Sequence, residues 1–166
     1  MAYQSDTQRK VPEWAQGDPL MEWYATEVWG KRVTDDDTLF ENMNLQIFQA
    51  GLNWRMILAR RDAFREAFHG WRIDKVADMS PDDVNRLLQN AAIIRNLKKI
   101  EASIANARTV QEIQQEHGSF CDWFYTALEG DDLAALQKML RMTFTFMGPE
   151  IARMWLMSTG RIPTAD

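Results

Sequence analysis

The sequence predicts an all-α protein, a single domain of about eight or nine short helices. Two observations lead to this prediction. Apolar residues recur at spacings of three and four along most of the chain, whereas no segment alternates apolar and polar residues as a strand does. Helix start and stop signals separate the apolar stripes. With 166 residues, the chain is long enough to bury one hydrophobic core.

The first half of the chain divides at glycines. We expect Thr34 with Asp37 to cap a helix that ends at Gly51 and carries an apolar stripe. That stripe is Phe40, Met43, Ile47 and Ala50. A further helix is expected from the following residues to His69-Gly70. Both predicted ends fit the preference for glycine just past a helix.

The next helices are marked by caps. Ser80 before Pro81 reads as an N-cap followed by proline at the first helical position. Thr109 and Glu112 have the spacing of a second capping box, which predicts that one helix stops near Arg108 and another starts. Ser119 is expected to begin a further helix.

The last two predicted helices form a hairpin. Segment 141–148 joins a helix carrying Leu133, Leu136 and Leu140 to one that opens at Gly148-Pro149. Such a hairpin can direct a positive helix end and backbone N–H groups at a DNA phosphate. Pro149 lacks an N–H, and tight helical hairpins are common for purely structural reasons.

Composition narrows the function classes. The net charge of −5 argues weakly against nucleic-acid binding, but acidic residues gather where helices should begin, so a basic face is compatible with it. The single cysteine, Cys121, excludes an internal disulfide and a multi-cysteine metal site. His69 and His117 fit helix C-terminal positions, and no metal ligand spacing, nucleophile elbow or phosphate-binding glycine loop is present. Without a signal peptide or membrane span, we expect a cytoplasmic protein.

A row of amides precedes the most unusual segment. Asn42, Gln46 and Gln49 are followed by Asn53, and amides can both donate to and accept from the edge of a nucleobase. Gly51-Leu52 and Trp54 come next. A leucine can wedge into a base stack and an indole can stack on an extruded base. A solvated polar face and ordinary core packing are the alternatives.

Several motifs occur in a fixed order between Trp14 and Gly160. They are Asp18-Pro19-Leu20, Tyr24, Trp29-Gly30, Leu39-Phe40-Glu41, Gln49-Ala50-Gly51-Leu52-Asn53-Trp54, Ala92-Ile93-Ile94-Arg95, Lys99-Ile100, Asn106-Ala107 and Phe144-Thr145-Phe146-Met147-Gly148. In this order and spacing the chain resembles the 3-methyladenine DNA glycosylase I family over nearly its whole length.

The resemblance implies a helix-hairpin-helix fold and hydrolytic removal of alkylated adenine, 3-methyladenine above all, from double-stranded DNA. Trp54 and Tyr24 would then flank the extruded base, and Trp29 would line the pocket. Tyr24 and Gln46 are the candidate catalytic residues, and Gln46 and Gln49 would contact the base. The residues implied at the DNA are Gly51, Leu52, Arg95, Lys98, Lys99, Thr145 and Gly148, with solvation the equal alternative for the three basic side chains.

The chain departs from the family pattern in three places. Two of the family's zinc ligands correspond to Pro12 and Ala25, and the chain ends where the other two would come, so we expect no zinc and no other cofactor. Packing of Trp14, Trp23 and Trp155 would then hold the termini together. A family glutamate corresponds to Gln46, which removes a charge that would attract a cationic base. The glutamate before the Trp-Gly pair is Val28.

These observations give one leading hypothesis, a zinc-free glycosylase acting as a monomer, with residues 12–166 as the helical domain and 1–11 as a flexible N-terminal segment. The first alternative is a non-catalytic DNA-binding relative that recognises lesions or distorted duplex without base release. The second is a helical protein-interaction domain unrelated to DNA.

Overall fold

The structure, a computed structural model, describes residues 10–128 and 130–164. The flexible segment expected at 1–11 therefore lies mostly outside the described residues. The helices are α1 (Pro19–Glu27), α2 (Asp36–Gln49), α3 (Trp54–Ala59), α4 (Arg61–Ala67), α5 (Ile73–Ala77), α6 (Pro81–Leu88), α7 (Leu97–His117), α8 (Phe120–Asp122), α9 (Leu133–Thr143) and α10 (Pro149–Ser158). Short 3-10 turns lie at Glu13–Ala15 and His69–Trp71, and α8 continues as a π-helical turn over Trp123–Ala127. The described residues contain no strand, and the all-α prediction is confirmed.

Two helices organise the core. Helix α2 is buried along most of its length and packs against α3, α5, α7, α8 and α10, whereas α7 packs against α5, α6 and α8. Stacked aromatic rings fill the space beside α2, with the rings of Phe68 and Trp71 only 4.3 Å apart between centroids. Trp155 of α10 is fully buried among the rings of Phe120, Phe124 and Phe144. These contacts unite the helices into one domain.

Local signals set most helix ends. Ser80 caps α6 in a capping box with Asp83, and Pro81 is the first helical residue, as predicted. The cap of α2 is Asp35 rather than Thr34, because its carboxylate accepts the backbone N–H of Thr38.

The predicted break near Arg108 is wrong, because α7 runs without interruption from Leu97 to His117. Thr109 turns its hydroxyl back to the carbonyl of Ala105, four residues earlier, and so does not act as a cap. The buried stripe continues through Val110 and Ile113. Burial of that stripe against the core outweighs a weak capping pattern.

The first and last described helices are joined by hydrogen bonds rather than by the tryptophans expected to replace zinc. Trp14 and Trp23 are 48% and 37% exposed, and of the three only Trp155 is fully buried. Instead the Tyr125 hydroxyl donates to the carbonyl of Thr159 (2.5 Å) and accepts from the N–H of Val33 (2.8 Å).

Three further contacts reinforce this connection. The N–H of Gly30 donates to the carbonyl of Ser158 at 2.9 Å. Gly160 approaches so closely that an added Cβ would lie 2.7 Å from the Gly30 carbonyl oxygen, and its φ of +70° also disfavours other residues. The buried Arg161 side chain donates to the carbonyls of Phe124, Leu128 and Gly130. Hydrogen bonding therefore holds the segment after α10 in place.

Candidate functional site

A cavity of about 330 Å³ opens between α1, α2 and α3. The loop between α1 and α2 forms one rim, and the first turns of α3 and α4 form the other. The cavity lining includes Trp23, Tyr24, Glu41, Asn42, Gln46, Trp54, Arg61 and Arg65. The cavity thus contains aromatic, amide and charged groups within one space.

Its aromatic wall is built by two helices. Asn53 caps α3 by accepting the N–H of Met56, which makes Trp54 the first helical residue. The Trp54 ring lies 5.0 Å from that of Tyr24 between centroids, inclined at 53°. The two rings are thus in contact with each other and form one aromatic surface of the cavity, on which a flat aromatic ligand can stack.

Two buried polar atoms at the cavity have no hydrogen-bond partner within residues 10–128 and 130–164. They are the Gln46 side-chain oxygen and the Trp54 indole N–H. Gln46 is only 3% exposed. Buried polar atoms are normally hydrogen-bonded, so these two groups could be satisfied by a ligand edge that carries both a donor and an acceptor; Asn44, Trp71 and Trp155 have similar unpaired atoms away from the cavity.

Charged groups are also placed at the cavity. The carboxylate of Glu41, 5% exposed, accepts two hydrogen bonds from Arg65 at 2.6 and 2.9 Å. That bidentate contact raises the pKa of Arg65, whereas burial lowers the pKa of Arg61. Arg61 stacks over the ring of Trp23 at 4.9 Å. Lysine and arginine side chains on the lining slightly outnumber carboxylates, so the cavity itself carries no negative excess.

Burial also disfavours the ionised form of the Tyr24 phenol. It raises the pKa of the phenol well above its ordinary value. The hydroxyl therefore remains protonated at neutral pH and is available as a hydrogen-bond donor, not as a base.

The turn after α2 contains several of the residues that were predicted to contact DNA or the base. Gly51 has a φ of +76°, which closes a tight turn in which the Leu52 N–H donates to the Gln49 carbonyl at 2.7 Å. The Gln49 amide donates to the Leu52 carbonyl and does not line the cavity. The expected base contact at Gln49 is therefore replaced by a role in the turn. Leu52 lies 38% exposed.

Trp29 also departs from its predicted place. Its ring contacts those of Tyr24 and Trp14, at 6.2 and 6.0 Å between centroids, and it does not line the cavity. It supports the aromatic wall from behind. The half-exposed Trp14, which the sequence predicted only as a packing residue near the terminus, belongs to the same cluster.

The predicted DNA contacts separate into two groups. Arg95 and Lys98 are exposed, and Lys98 lines a groove that also includes Thr145 of the hairpin. Lys99 is 5% exposed and donates to two backbone carbonyls, so its predicted phosphate contact is wrong.

The hairpin between α9 and α10 is held by a buried asparagine of α7. Asn106, fully buried on α7, donates to the Thr145 carbonyl and accepts the Thr145 N–H, at 2.9 and 2.8 Å. That N–H is therefore not available to a phosphate. Gly148 caps α10, where the carboxylate of Glu150 pairs with Arg153.

The missed residues share a common feature. Glu41, Arg61 and Arg65 look like ordinary solvated charges in the sequence. A charged Glu41 among the apolar residues of α2 was a signal that it needed a buried partner.

Zinc does not fit at the positions that the resemblance assigns to it. Ala25 is buried and Pro12 has no donor atom in its side chain. Across residues 10–128 and 130–164, no group of three histidine, cysteine, aspartate or glutamate side chains is arranged to hold a metal ion. None of the helices described combines the length and apolar character needed to cross a membrane.

Comparison with known proteins links this geometry to one family. The family model described as methyladenine glycosylase matches residues 14–138. DNA-3-methyladenine glycosylase 1 of Escherichia coli (strain K12) is 41% identical over 113 residues, 68% of this chain and 60% of that protein. The Haemophilus influenzae DNA-3-methyladenine glycosylase is 35% identical over 103 residues, 62% of this chain and 56% of that protein. The matched region thus spans less than two thirds of these relatives' length.

Solved structures agree over more of the chain. A crystal structure of a 3-methyladenine DNA glycosylase I has a TM-score of 0.83 at 32% identity, covering 92% of this chain and 93% of that one. A structure of the Staphylococcus aureus enzyme, described as showing 3-methyladenine recognition, has a TM-score of 0.82 at 30% identity, with coverage of 89% and 88%.

Proposed function

The chain belongs to the methyladenine glycosylase family, and from this premise we propose that it removes alkylated adenine from double-stranded DNA by hydrolysis. The observation that carries the proposal is the pair of unpartnered polar atoms at the cavity, on Gln46 and Trp54. The relatives named above are 3-methyladenine glycosylases, which makes 3-methyladenine the expected base.

The cavity suits a base turned out of the duplex. Trp54 and Tyr24 offer inclined π faces 5.0 Å apart between centroids, and such faces attract a cationic ring without any formal negative charge. The Gln46 amide and the Trp54 N–H complement a base edge that carries both a donor and an acceptor. Recognition then depends on stacking and on these two hydrogen bonds.

The reaction needs little acid catalysis. In an alkylated adenine the ring already carries the positive charge, so the electrons of the breaking N-glycosidic bond neutralise the departing base. Water then bonds to the sugar C1′ and loses a proton to solvent, which leaves an abasic site. The protein contributes by holding the extruded base in place and by stabilising the cationic sugar as the bond breaks. The neutral hydroxyl of Tyr24 is suited to donate to the base or to its sugar.

The remaining residues hold the DNA in this proposal. Leu52 fills the space that the extruded base leaves in the helix. Arg95, Lys98, the Thr145 side chain and the start of α10 at Gly148 lie against the phosphate backbone. A monomeric state and a cytoplasmic location remain predictions that accompany this function.

The test is base release from methylated duplex DNA with enzyme in excess. We expect wild type to release 3-methyladenine, and Trp54→Ala to slow release by about 100-fold, because stacking on an aromatic ring is worth about 1–3 kcal/mol per base and one hydrogen bond is lost as well. Trp54→Phe is the matched variant: it keeps an aromatic face and loses only the N–H, so release should slow by about tenfold.

Other outcomes lead to the alternatives. Lesion-dependent binding without an abasic product would overturn the proposal in favour of a non-catalytic DNA-binding relative. Absence of any salt-dependent DNA affinity would favour the protein-interaction domain.

A further inference from the structure

Lys99 occupies an unusual place between two helices. It lies in the first turn of α7, and its ammonium donates to the carbonyls of Phe48 (2.9 Å) and Ala50 (2.7 Å) at the end of α2. The residue is 5% exposed. No carboxylate forms a salt bridge with it among the residues that the structure describes.

This arrangement opposes two general preferences. A cation is disfavoured near the N-terminus of its own helix, and burial disfavours the charged form, which lowers the pKa of Lys99. The ammonium is compensated by the negative C-terminal end of α2 and by two carbonyls that would otherwise lack partners. The two hydrogen bonds of Lys99 thus fix the end of α2 to the first turn of α7.

The anchored carbonyls lead directly into the turn at Gln49–Asn53. Ala50 precedes Gly51, Leu52 is exposed at the turn, and Trp54 of the cavity wall follows. Lys99 therefore fixes one end of a short segment that carries both the exposed leucine and the stacking tryptophan.

The same face of α7 holds the hairpin. Asn106 lies seven residues after Lys99, two helical turns or about 10 Å along the axis. It brackets the backbone of Thr145 with two hydrogen bonds. Helix α7 thus carries one anchor for the turn and one for the hairpin.

We propose that Lys99 is a positioning residue for base extrusion, which holds Leu52 at a fixed distance from the hairpin while the leucine displaces a base from the duplex. The proposal rests on the proposed function. A wedge that separates stacked bases meets an opposing force. Without its anchor on rigid α7, the turn would yield to that force instead of transmitting it.

The test compares duplex with single-stranded alkylated DNA, because a base in a single strand needs no wedge. Lys99→Met keeps the side-chain length and removes the donors. We expect it to slow release from duplex by about tenfold or more and to change release from single strands by less than about twofold. Lys75→Met, the same change at an exposed position on α5, should leave both rates unchanged.

A second variant separates positioning from a general loss of stability. In a Leu52→Ala background, Lys99→Met should slow duplex release little further, since the side chain that it positions is already absent. Lys99→Gln, which retains an amide donor, should recover part of the duplex rate and serves if Lys99→Met does not fold.

Equal slowing on both substrates, or additive effects of Lys99→Met and Leu52→Ala, would overturn the inference and leave the proposed function standing. A wild-type protein that releases base from neither substrate would overturn the proposed function, and this inference with it.

Discussion

At the scale of single residues, Gln46 places a neutral amide in the cavity where the family pattern has a glutamate. It is almost fully buried on α2, and its side-chain oxygen lacks a partner. Because Glu41 is bound by Arg65 in a bidentate pair, its charge is already compensated. The cavity thus offers π faces and an amide to a cationic base, and the carboxylate of Glu41 is already paired with Arg65.

Gln46→Glu tests whether charge limits release of a cationic base. A buried carboxylate near a cationic base is worth up to a few kcal/mol, so we expect capture of the base to improve and 3-methyladenine release at subsaturating enzyme to rise about tenfold or more. The gain should increase with pH as the new carboxyl loses its proton. The measurement is the rate of release at subsaturating enzyme across the pH range.

Asn42→Asp is the matched control, because Asn42 lines the same cavity one helical turn earlier. A carboxylate at position 42 should increase base release less than one at position 46, since Asn42 lies one turn farther from the end of α2 that leads to Trp54. If Gln46→Glu and wild type release base equally fast at every pH, charge is not limiting.

Single residues also show what sequence can predict about the site. Trp54, Tyr24 and Gln46 lie in recognisable motifs, and the structure brings all three to one cavity. The Glu41–Arg65 pair joins residues 24 positions apart, and nothing local in the sequence indicates which of several arginines is the partner.

At the scale of elements, one carboxylate connects the start of α2 to α8. Asp36 accepts the N–H groups of Phe120 and Cys121 and the amide of Gln114, at 3.0, 2.9 and 2.8 Å. Burial raises the pKa of Asp36, but these hydrogen bonds outweigh it and hold the pKa below its ordinary value of 3.8. The charged form is therefore favoured by folding.

We predict that Asp36→Asn lowers the free energy of unfolding at neutral pH by about 2 kcal/mol, because one of the two accepting oxygens becomes an NH2 group that cannot accept and the other loses its charge assistance. Since the folded-state pKa is lowered, this contribution is present above pH 3.8 and is lost as pH falls below it. The difference between variant and wild type should shrink accordingly. Urea unfolding at pH 7 and in acid measures it.

The neighbouring Asp37 supplies an opposite control. Burial raises its pKa, so its stability contribution grows as pH falls, and Asp37→Asn should change with pH in the reverse direction. A parallel pH dependence of the two variants would contradict this account.

The elements also show why some boundaries are predictable. The start of α6 depends on Ser80, Pro81 and Asp83, which interact within four residues. Continuity of α7 past Thr109 depends instead on burial of Val110 and Ile113 against other helices. That burial is a tertiary effect, and a local capping pattern does not reveal it.

At the scale of the whole molecule, the proposed function requires DNA binding by a chain of net charge −5. We predict that affinity for duplex falls as salt rises, because phosphate contacts release counterions. Replacing Arg95 and Lys98 together by alanine should reduce the slope of log affinity against log salt by about 1.8, or 0.9 for each phosphate. Fluorescence anisotropy with labelled duplex provides the slope.

The exposed Lys75 on α5 is the control for this pair. Lys75→Ala changes the net charge without removing a proposed phosphate contact, so the slope should stay unchanged. An equal reduction by Lys75→Ala would show that overall charge, not a defined face, governs affinity.

The fold as a whole was predictable because helical periodicity and motif order both extend along the chain. The contacts between the segment after α1 and the segment after α10 were not predictable. The Tyr125 hydroxyl links Val33 to Thr159, residues that are 92 and 34 positions away from it, and a tyrosine in sequence gives no indication of such partners.

The most direct test of the central claim measures released base and abasic sites in one reaction of wild-type protein with methylated duplex. Hydrolysis of the glycosidic bond predicts free 3-methyladenine and abasic sites in equal amounts, both growing with time at enzyme excess. Specific binding of the lesion with neither product formed would contradict the claim.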